Sequence, residues 1–381
     1  MFYIGVVMFR RLGLASLFFL SCQLTANTTQ VFYPASFQNP AAMQQIKDTK
    51  MVSGVFFPNV NFKFTGKVAG RHGTVKSNNT LFFPYFVGAQ RIVDRVVLGV
   101  DVSNPILGYV TWPVNGFQRA LSVKTIVESY EVTPKISISL TKKLAIGGSF
   151  RYLSVYRGQL DYTVLNSLVT NNGTGHAVGG TVGFWWMINP QTFLDFSYFT
   201  PIKLSLHGTS TSGPFIRTNL RTNSLVFSPA TFILNLLHVF GPKFSLFGKF
   251  AYSCWNPTKR LILYNTALGF QPTVLNLNLH NTYMCSVGGR YQPYSRLAFN
   301  ALAGYDQAWT DSKHNALTFP FGNLWFGGLG IEIKFAQLAW LKIFAGQGRS
   351  SHPKVQNPPA FVNGTNKSIY TWGDISGVVN F

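Results

Sequence analysis

Basic and aromatic side chains recur at alternate positions along several segments of the chain, and together they could hold an amphipathic molecule. Aromatic rings would supply apolar contact area, and a fixed cation could form charge-assisted hydrogen bonds with a carboxylate. If these segments are strands, their parity places the candidates on one inner face. The candidate ligand-binding residues are Arg151, Arg157, Phe193, Phe199, Lys203, Phe247, Lys249, Trp255 and Arg290. The alternative is structural pairing of the cations with Asp101, Glu131, Asp195, Asp306, Glu332 and Asp374.

No comparable set of residues suits catalysis or metal binding. The sequence lacks the Gly-x-Ser-x-Gly motif of many hydrolases. Its 7 histidines are scattered singly, without cysteine or histidine at metal-ligand spacing. We therefore predict that the chain is not an enzyme and holds neither a metal nor another cofactor.

The composition restricts the fold class. Charged residues make up 11% of the chain and aromatic residues 15%, which is too apolar for disorder and poor in charge for a soluble enzyme. Beyond residue 24, however, no run of ~18 apolar residues could form a membrane-spanning helix. This combination is typical of a transmembrane β-barrel, whose lipid-facing residues occupy alternate positions.

The first 26 residues are predicted to be an export signal. A basic start at Met8–Arg11 precedes a short apolar core, and Met8 could be the true first residue. We expect cleavage after Ala26. Cys22 lies in a poor lipoprotein-like cleavage box, so the sequence leaves open whether it is lipidated or discarded. The predicted domains are then a plug over residues 27–50 and a barrel over residues 51–381.

Two cysteines remain after such a cleavage, Cys254 and Cys285. They lie on consecutive predicted strands with outward parity. A symmetric register would make them cross-strand neighbours with their Cα atoms within ~7 Å. An exported chain could oxidise such a pair, so the sequence leaves open whether they are bonded.

Period-two alternation predicts an all-β chain of fourteen antiparallel strands. The clearest alternation runs from Tyr130 to Leu140, whereas Leu220–Val239 is apolar on both faces. The predicted strands are Met51–Gly66, Thr80–Arg91, Asp94–Asn104, Lys124–Leu140, Lys143–Leu160, Ala177–Asn189, Gln191–Gly208, Leu220–Val239, Lys243–Tyr264, Val274–Gln292, Ser295–Ala308, Gly322–Ala336, Leu338–Ser350 and Ser368–Phe381.

The connections between these strands alternate between tight turns and links of about nine residues or more, as periplasmic turns and outer loops do in outer-membrane barrels. The even strand number places both chain ends on the periplasmic side. Phe381 ends an amphipathic strand and resembles the signal read by the barrel-assembly machinery. The tight turns are Ile92-Val93, Thr141-Lys142, Pro190, Phe240-Gly241-Pro242, Pro293-Tyr294 and Gln337.

Several motifs, taken in order and spacing, resemble one family of outer-membrane proteins. They are Asn39-Pro40-Ala41 with Gly54 and Pro58–Phe62, Tyr130–Ser137 with Lys143–Gly147, Tyr198–Lys203 ahead of Gly208, and Gly304-Tyr305-Asp306 with Phe319-Pro320 and Trp325. The family is that of the FadL-type transporters, which take up long-chain fatty acids and aromatic hydrocarbons. The similarity extends from Asn39 to Phe381.

The resemblance implies a barrel filled by an N-terminal plug and a kinked third strand that opens a gap in the wall for lateral release. The plug and gating candidates are Asn39, Pro40, Ala41, Gly99 and Asp101, with Asn104-Pro105 as a further break point. The resemblance also places a basic ligand contact at Arg157.

The chain departs from the family in two ways. Only Asn27–Gln38 would precede the first motif after cleavage, which shortens the plug and leaves its gating role open. The third and fourth outer loops, Asp161–His176 and Thr209–Asn219, are short and polar, which implies a smaller capture groove or a different ligand.

The net charge of +21 is not mainly a property of the lumen, and the predicted outer loops carry an excess of basic residues. A basic outer rim suits an anionic lipopolysaccharide surface. Nucleic acid is not an expected partner, because the charge lies on separate loops without a folded basic module. The loop residues concerned are Lys67, Arg71, Lys76, Arg119, Arg217, Lys313, Lys354 and Lys367, against Asp161 and Asp311.

The predicted function is passive uptake of hydrophobic molecules, above all long-chain fatty acids, across the bacterial outer membrane. Two alternatives remain open at this point. One is a structural or adhesive surface barrel that meets host or envelope partners through its basic loops. The other is an open porin for polar solutes.

Overall fold

A computed structural model describes residues 38–381, except residues 106, 120, 165–166, 214–215, 268–271, 312–314, 316, 318–321, 352–353 and 358–361. The predicted export signal, Cys22, residues 27–37 of the predicted plug and the Phe319-Pro320 motif lie outside the described residues.

Fourteen strands form a closed antiparallel barrel, which confirms the predicted fold class. The barrel closes where the first strand pairs with the last, from Lys50 with Asn380 to Val68 with Val362. The wall strands are β1 (Thr49–Val68), β3 (Phe83–Val93), β4 (Val96–Ser103), β6 (Lys124–Ser139), β7 (Leu144–Val164), β8 (Ser167–Asn189), β9 (Thr192–Phe199), β14 (Ala230–Val239), β15 (Phe244–Cys254), β18 (Thr282–Tyr294), β19 (Leu297–Asp306), β20 (Leu324–Lys334), β21 (Ala339–Ser350) and β23 (Val362–Asn380).

Shorter strands extend the connections at the end opposite the tight turns. They are β2 (Arg71–Thr80), β5 (Leu107–Thr111), β10 (Ile202–Leu204), β11 (His207–Ser212), β12 (Ile216–Thr222), β13 (Leu225–Ser228), β16 (Arg260–Tyr264), β17 (Thr273–Asn276) and β22 (Lys354–Asn357). The third and fourth outer loops are accordingly continuations of hairpins, β7–β8 and β11–β12, rather than irregular loops.

The tight turns lie together at one end of the barrel. Two of them, 94–95 and 295–296, come two residues later than predicted. The reason is a register shift in each preceding strand, between Arg91 and Val93 and between Tyr291 and Tyr294, which extends the hairpin. Phe381 lies at the same end, where its N–H donates to the Thr49 carbonyl.

Alternation along the strands separates an inner from an outer face. On β1, Phe56, Phe62 and Phe64 are buried inside, whereas Phe57 points outwards and stacks on Phe82. Large apolar side chains cover the outer face of the wall, where they meet lipid. No helix among the described residues is long and apolar enough to cross a membrane.

The wall is interrupted at Asn104-Pro105. From Ser103 to Leu107 the chain advances four residues, whereas their partners on β6, Glu131 and Glu128, are three apart. One extra residue therefore breaks the strand, and the Asn104 amide donates to the Ser129 carbonyl there. The pairing of β3 with β4 ends at Phe86 with Val102. Residues 83–85 of β3 therefore have no described strand partner on the side of β4.

The other two predicted break points are wrong. Gly99 and Asp101 lie in unbroken pairing with both β3 and β6. Gly99 instead makes room for the N-terminal segment, because a Cβ there would lie 2.6 Å from the Met43 sulfur. Asp101 is buried in an ion pair with Lys135.

A second irregularity folds part of the chain inwards. Pairing of β9 with β8 stops at Phe199 and resumes only at His207 with Thr174. Between them, β10 pairs with β13 as a two-stranded ribbon. Its Ile202 lies against the inner face of β8, where a Cβ on Gly179 would lie 2.7 Å from it. The ribbon therefore lies inside the barrel and narrows the lumen.

The predicted proximity of Cys254 and Cys285 is wrong. Cys285 pairs with Phe250, four residues before Cys254, or ~13 Å along the strand. The connection carries the extra strands β16 and β17, so the assumed symmetric register does not occur. Both cysteines are free.

Candidate functional site

An apolar cavity of about 160 Å³ lies between the outer extensions of the barrel. Its floor is formed by the inward ribbon and the adjoining chain, through Leu206, Leu225 and Phe227. Its sides come from β12, β16 and β17, where every second residue points inwards. The leucines contributed by these strands are Leu220, Leu261, Leu263 and Leu275.

The lining carries no charged side chain among the residues that the structure describes. Its polar members are neutral, such as Thr222, Thr258 and Asn171. Trp255 and Trp309 lie edge to face in the lining with ring centroids 5.0 Å apart. A bound apolar molecule would cover this surface and lower the free energy by removing apolar area from water. The two indole rings could also make ring contacts with an aromatic molecule.

The cavity lies close to the break in the wall. Gly108 and its partner Val127 both line the cavity, and Gly108 follows the break at Asn104-Pro105 by only a few residues. On the outer face beside the break, Tyr130 stacks with Tyr156 at 6.3 Å. An apolar molecule in the cavity is thus next to an interrupted wall flanked by membrane-interface aromatics.

Arg151 lies on the inner face beside the ribbon and is almost fully buried. It donates to Glu131 through Nε at 3.0 Å and Nη2 at 2.8 Å. Nη2 also lies 3.2 Å from the Ser228 hydroxyl, and the guanidinium lies over the Phe199 ring at 5.2 Å. Its Nη1 is buried without a hydrogen-bond partner among the described residues. Structural pairing, the alternative weighed from sequence, therefore holds for Arg151.

The prediction that Arg157 shares the inner face with Arg151 is wrong. Val155 pairs with Ser129, but Arg157 pairs with the adjacent Glu128. Neighbouring residues on a strand face opposite sides, so the bulge turns Arg157 outwards. There it lies 3.6 Å from the Glu128 carboxylate and donates to the Gln159 side chain.

Lys203 lies on the inward ribbon rather than on a wall strand. The wall strand is interrupted at Thr200-Pro201. On β10 the buried side chains Ile202 and Leu204 face the wall, and Lys203 between them is exposed on the opposite face of the ribbon, towards the lumen. Arg290 does lie inside, where it pairs with Glu332 at 2.9 Å together with Lys342.

The remaining candidates lie near the opposite end, beside the segment Gln38–Asp48, which we name the junction segment. Phe193 stacks on Trp185 beneath it at 5.7 Å. Lys249 donates to the Gln38 side chain, and Phe247 and Lys249 line a chamber of about 740 Å³ next to the segment. Of the nine ligand candidates, only Trp255 lines the apolar cavity.

The junction segment contains a 3₁₀ helix, Pro40–Gln45, which lies against the inner face of the barrel. Asn39 caps the helix by accepting from the Ala41 N–H, and Pro40 at its first position is preorganised for it. The Asn39 amide also donates to the carbonyls of Phe184 and Phe196. From the wall, Ser137 donates its hydroxyl to the Ala41 carbonyl.

Arg91 fixes the far end of the junction segment. Its guanidinium donates to the carbonyls of Gln44, Ile46 and Lys47 at 2.6 to 3.1 Å. Sequence reasoning missed this role, because a single arginine at a strand end carries no motif. It also missed the cavity leucines, although the alternation Leu275-Asn276-Leu277-Asn278-Leu279 was a usable signal.

A closed barrel with an apolar cavity, an interrupted wall and an inner N-terminal segment defines a class, the outer-membrane channels for hydrophobic compounds. The model of the family described as outer membrane protein transport protein (OMPP1/FadL/TodX) matches residues 32–341. The chain belongs to this family, whose members are transport channels rather than enzymes, and it resides in the bacterial outer membrane.

Solved structures share the fold. A Pseudomonas aeruginosa FadL homologue is 18% identical, with 91% of this chain and 93% of that chain covered and a TM-score of 0.80. The P. putida toluene transporter TodX is 13% identical, with 90% and 93% covered and a TM-score of 0.69. The Ralstonia pickettii toluene transporter TbuX is 12% identical, with 91% and 92% covered and a TM-score of 0.66.

The comparison with curated proteins gave no match. The described residues contain no group of three or more His, Cys, Asp or Glu side chains that could hold a metal ion.

Proposed function

We propose that this channel passively carries small uncharged hydrophobic molecules, of the size of monoaromatic hydrocarbons, from its outer cavity through the break at Asn104-Pro105 into the membrane. The observation that carries the proposal is the charge-free lining of a cavity that adjoins the break. A dry cavity of about 150 Å³ lined by aliphatic and aromatic side chains accommodates benzene, and this one is of about 160 Å³.

Passive movement in this direction needs no energy source. When the ligand enters the cavity, its apolar surface leaves water, which is favourable by ~25 cal/mol per Å². When the ligand then moves into the lipid, that surface stays out of water, so the favourable free energy is kept. The junction segment lies at the periplasmic end, so a lateral route avoids it. Two solved relatives are described as toluene transporters, which agrees with a ligand of this class.

Long-chain fatty acids are the second candidate, and one observation favours them. The buried Nη1 of Arg151 has a donor to offer beside Phe199 and the ribbon. Against them, Glu131 already neutralises this guanidinium with two hydrogen bonds. Moving a carboxylate into the apolar cavity, whose described lining carries no charged side chain, costs several kcal/mol. The geometry therefore favours an uncharged ligand.

The test compares a cavity residue with its neighbour on the same strand. Leu263 lines the cavity, whereas Ile262 next to it does not. Leu263→Gln introduces an amide into the lining, and a hydrocarbon cannot form hydrogen bonds with that amide. We expect uptake of labelled toluene at low concentration to fall roughly 5- to 100-fold, and Ile262→Gln to have little effect.

Uptake of labelled oleate is measured in the same cells, with and without the channel. Toluene uptake that depends on the channel and on Leu263 supports the proposal. Uptake of oleate but not of toluene would overturn the uncharged ligand in favour of the fatty acid. Uptake of neither would favour a structural or adhesive barrel.

A further inference from the structure

Three lysines occupy directly opposed positions on three neighbouring strands. Lys63 of β1 pairs with Lys76 of β2 on one side and with Lys367 of β23 on the other. Cβ atoms in such positions are ~4.5–5.5 Å apart. Three ammonium groups therefore share one row across the sheet.

The row points away from the lumen. Phe62 and Phe64, on either side of Lys63, are buried inside the barrel, while Lys63 is exposed. Two further lysines extend the row upwards on the same face. Lys67 lies four residues further along β1, and Lys354 pairs with Thr365, two residues from Lys367. Together Lys63, Lys67, Lys76, Lys354 and Lys367 are named the lysine patch.

No acidic group compensates the lysine patch. The strands that carry it, β1, β2, β22 and β23, contain a single acidic residue, Asp374. Asp374 is buried on the inner face, where the Tyr85 hydroxyl donates to it at 2.9 Å. Among the described residues, no carboxylate lies within ion-pair distance of any of the five lysines.

The lysine patch differs from the cations on the inner face, which are paired with carboxylates. Inside the barrel, Lys135, Arg151 and Arg290 each pair with a carboxylate. Like charges directly opposite one another on a sheet are destabilising. The patch therefore opposes folding, and a bound anion would relieve the repulsion.

The height of the lysine patch indicates which anion it meets. Below it, Phe57 and Phe82 stack at 6.1 Å on the lipid-facing surface, and Phe82 is 68% exposed. Lys63 lies six residues above Phe57, which is roughly 15 Å in height once strand tilt is included. Asn59 and Asn61 fill the interval with a chain of amide hydrogen bonds. The patch thus lies just outside the apolar band, at the level of lipid headgroups.

We infer that the lysine patch binds the phosphorylated headgroup of lipopolysaccharide in the outer leaflet. Lysine ammonium groups bind phosphate as point charges and need no bidentate geometry. A headgroup with several phosphates and carboxylates can neutralise a row of cations at once. The paired hydroxyls of Thr65 and Thr74, 3.0 Å apart within the patch, add neutral donors.

The experiment measures binding of purified rough-type lipopolysaccharide to the full-length channel in detergent. The test variant is Lys63→Gln/Lys76→Gln/Lys367→Gln. The matched control, Lys142→Gln/Lys143→Gln/Lys243→Gln, removes the same charge from exposed residues at the opposite end. One lysine near an anionic lipid surface contributes about fivefold in affinity, so the test variant should lose on the order of 100-fold, and the control little.

Chemically dephosphorylated lipopolysaccharide and heparin serve as comparison ligands. We expect the wild-type channel to bind the phosphorylated form more tightly than the dephosphorylated form, and added salt to weaken the binding. Equal binding by the wild type and the test variant would overturn the inference. Binding of heparin in preference to lipopolysaccharide would also overturn it, because the partner would then be a soluble polyanion.

Discussion

The guanidinium of Arg151 and the carboxylate of Glu131 form a two-point ion pair on the inner wall, with N–O distances of 2.8 and 3.0 Å. Both side chains are less than 10% exposed. Because Glu131 already neutralises this guanidinium, Arg151 mainly stabilises the barrel and is poorly suited to bind an anionic ligand. The apolar cavity, which contains no ion pair among its described lining residues, is then the better place for a ligand.

The Arg151–Glu131 pair predicts a stability effect. Arg151→Met leaves Glu131 buried without a counter-ion, which typically costs 3–5 kcal/mol of unfolding free energy. The double variant Glu131→Gln/Arg151→Met removes both charges and should recover most of that loss. Urea unfolding of the purified barrel in detergent measures both. A single variant as stable as the wild type would mean that the pair is not buried.

Two neighbouring glycines of β7 predict how the junction segment is seated. A Cβ on Gly147 would lie 2.4 Å from the Ala41 nitrogen. A Cβ on Gly148 would lie 3.7 Å from its nearest neighbour, the Thr181 carbonyl oxygen, which is an ordinary van der Waals contact. Gly147→Ala should therefore displace the junction segment and raise the conductance of the channel in planar bilayers. Gly148→Ala, the matched control, should leave the conductance unchanged.

Folding of both glycine variants is checked by the heat-dependent shift in gel migration that closed barrels show. If folded Gly147→Ala conducts no more than the wild type, the junction segment does not obstruct the lumen. Asn39→Ala, which removes the helix cap and its bonds to the wall, should act in the same direction.

Strand number, wall topology and family could be predicted because a membrane wall imposes period two over long stretches. Between Tyr130 and Leu140 the inner and outer residues alternate in sequence as they do in the barrel. The C-terminal strand and the alternation of short and long connections are equally regular. These features depend on local pattern, which a single sequence contains.

Side-chain placement was harder to predict because one irregular residue reverses parity. The bulge beside Tyr156 turned Arg157 outwards. The break at Thr200-Pro201 did not reverse Lys203, but it moved that residue from the wall onto the ribbon. Neither irregularity interrupts the hydrophobic pattern. The connection between β15 and β18 contains the additional strands β16 and β17, which the sequence pattern did not reveal. The predicted pairing of Cys254 with Cys285 was therefore wrong by four residues, because Cys285 pairs with Phe250.

The break in the wall provides the most direct test of lateral release from the cavity. Because the chain has one residue in excess between Ser103 and Leu107, deletion of Pro105 should restore a continuous register with β6. The variant should fold and keep the cavity, since the Leu263 side of the cavity is untouched. Its conductance should equal that of the wild type, because the junction segment is unchanged.

The decisive measurement is the initial rate of labelled toluene uptake by cells that make equal amounts of wild-type or Pro105-deleted channel. If molecules leave through the wall, the deletion should reduce the channel-dependent rate at least tenfold while binding to the purified protein persists. Uptake at the wild-type rate by a folded Pro105-deleted channel would contradict lateral release and place the exit elsewhere in the barrel.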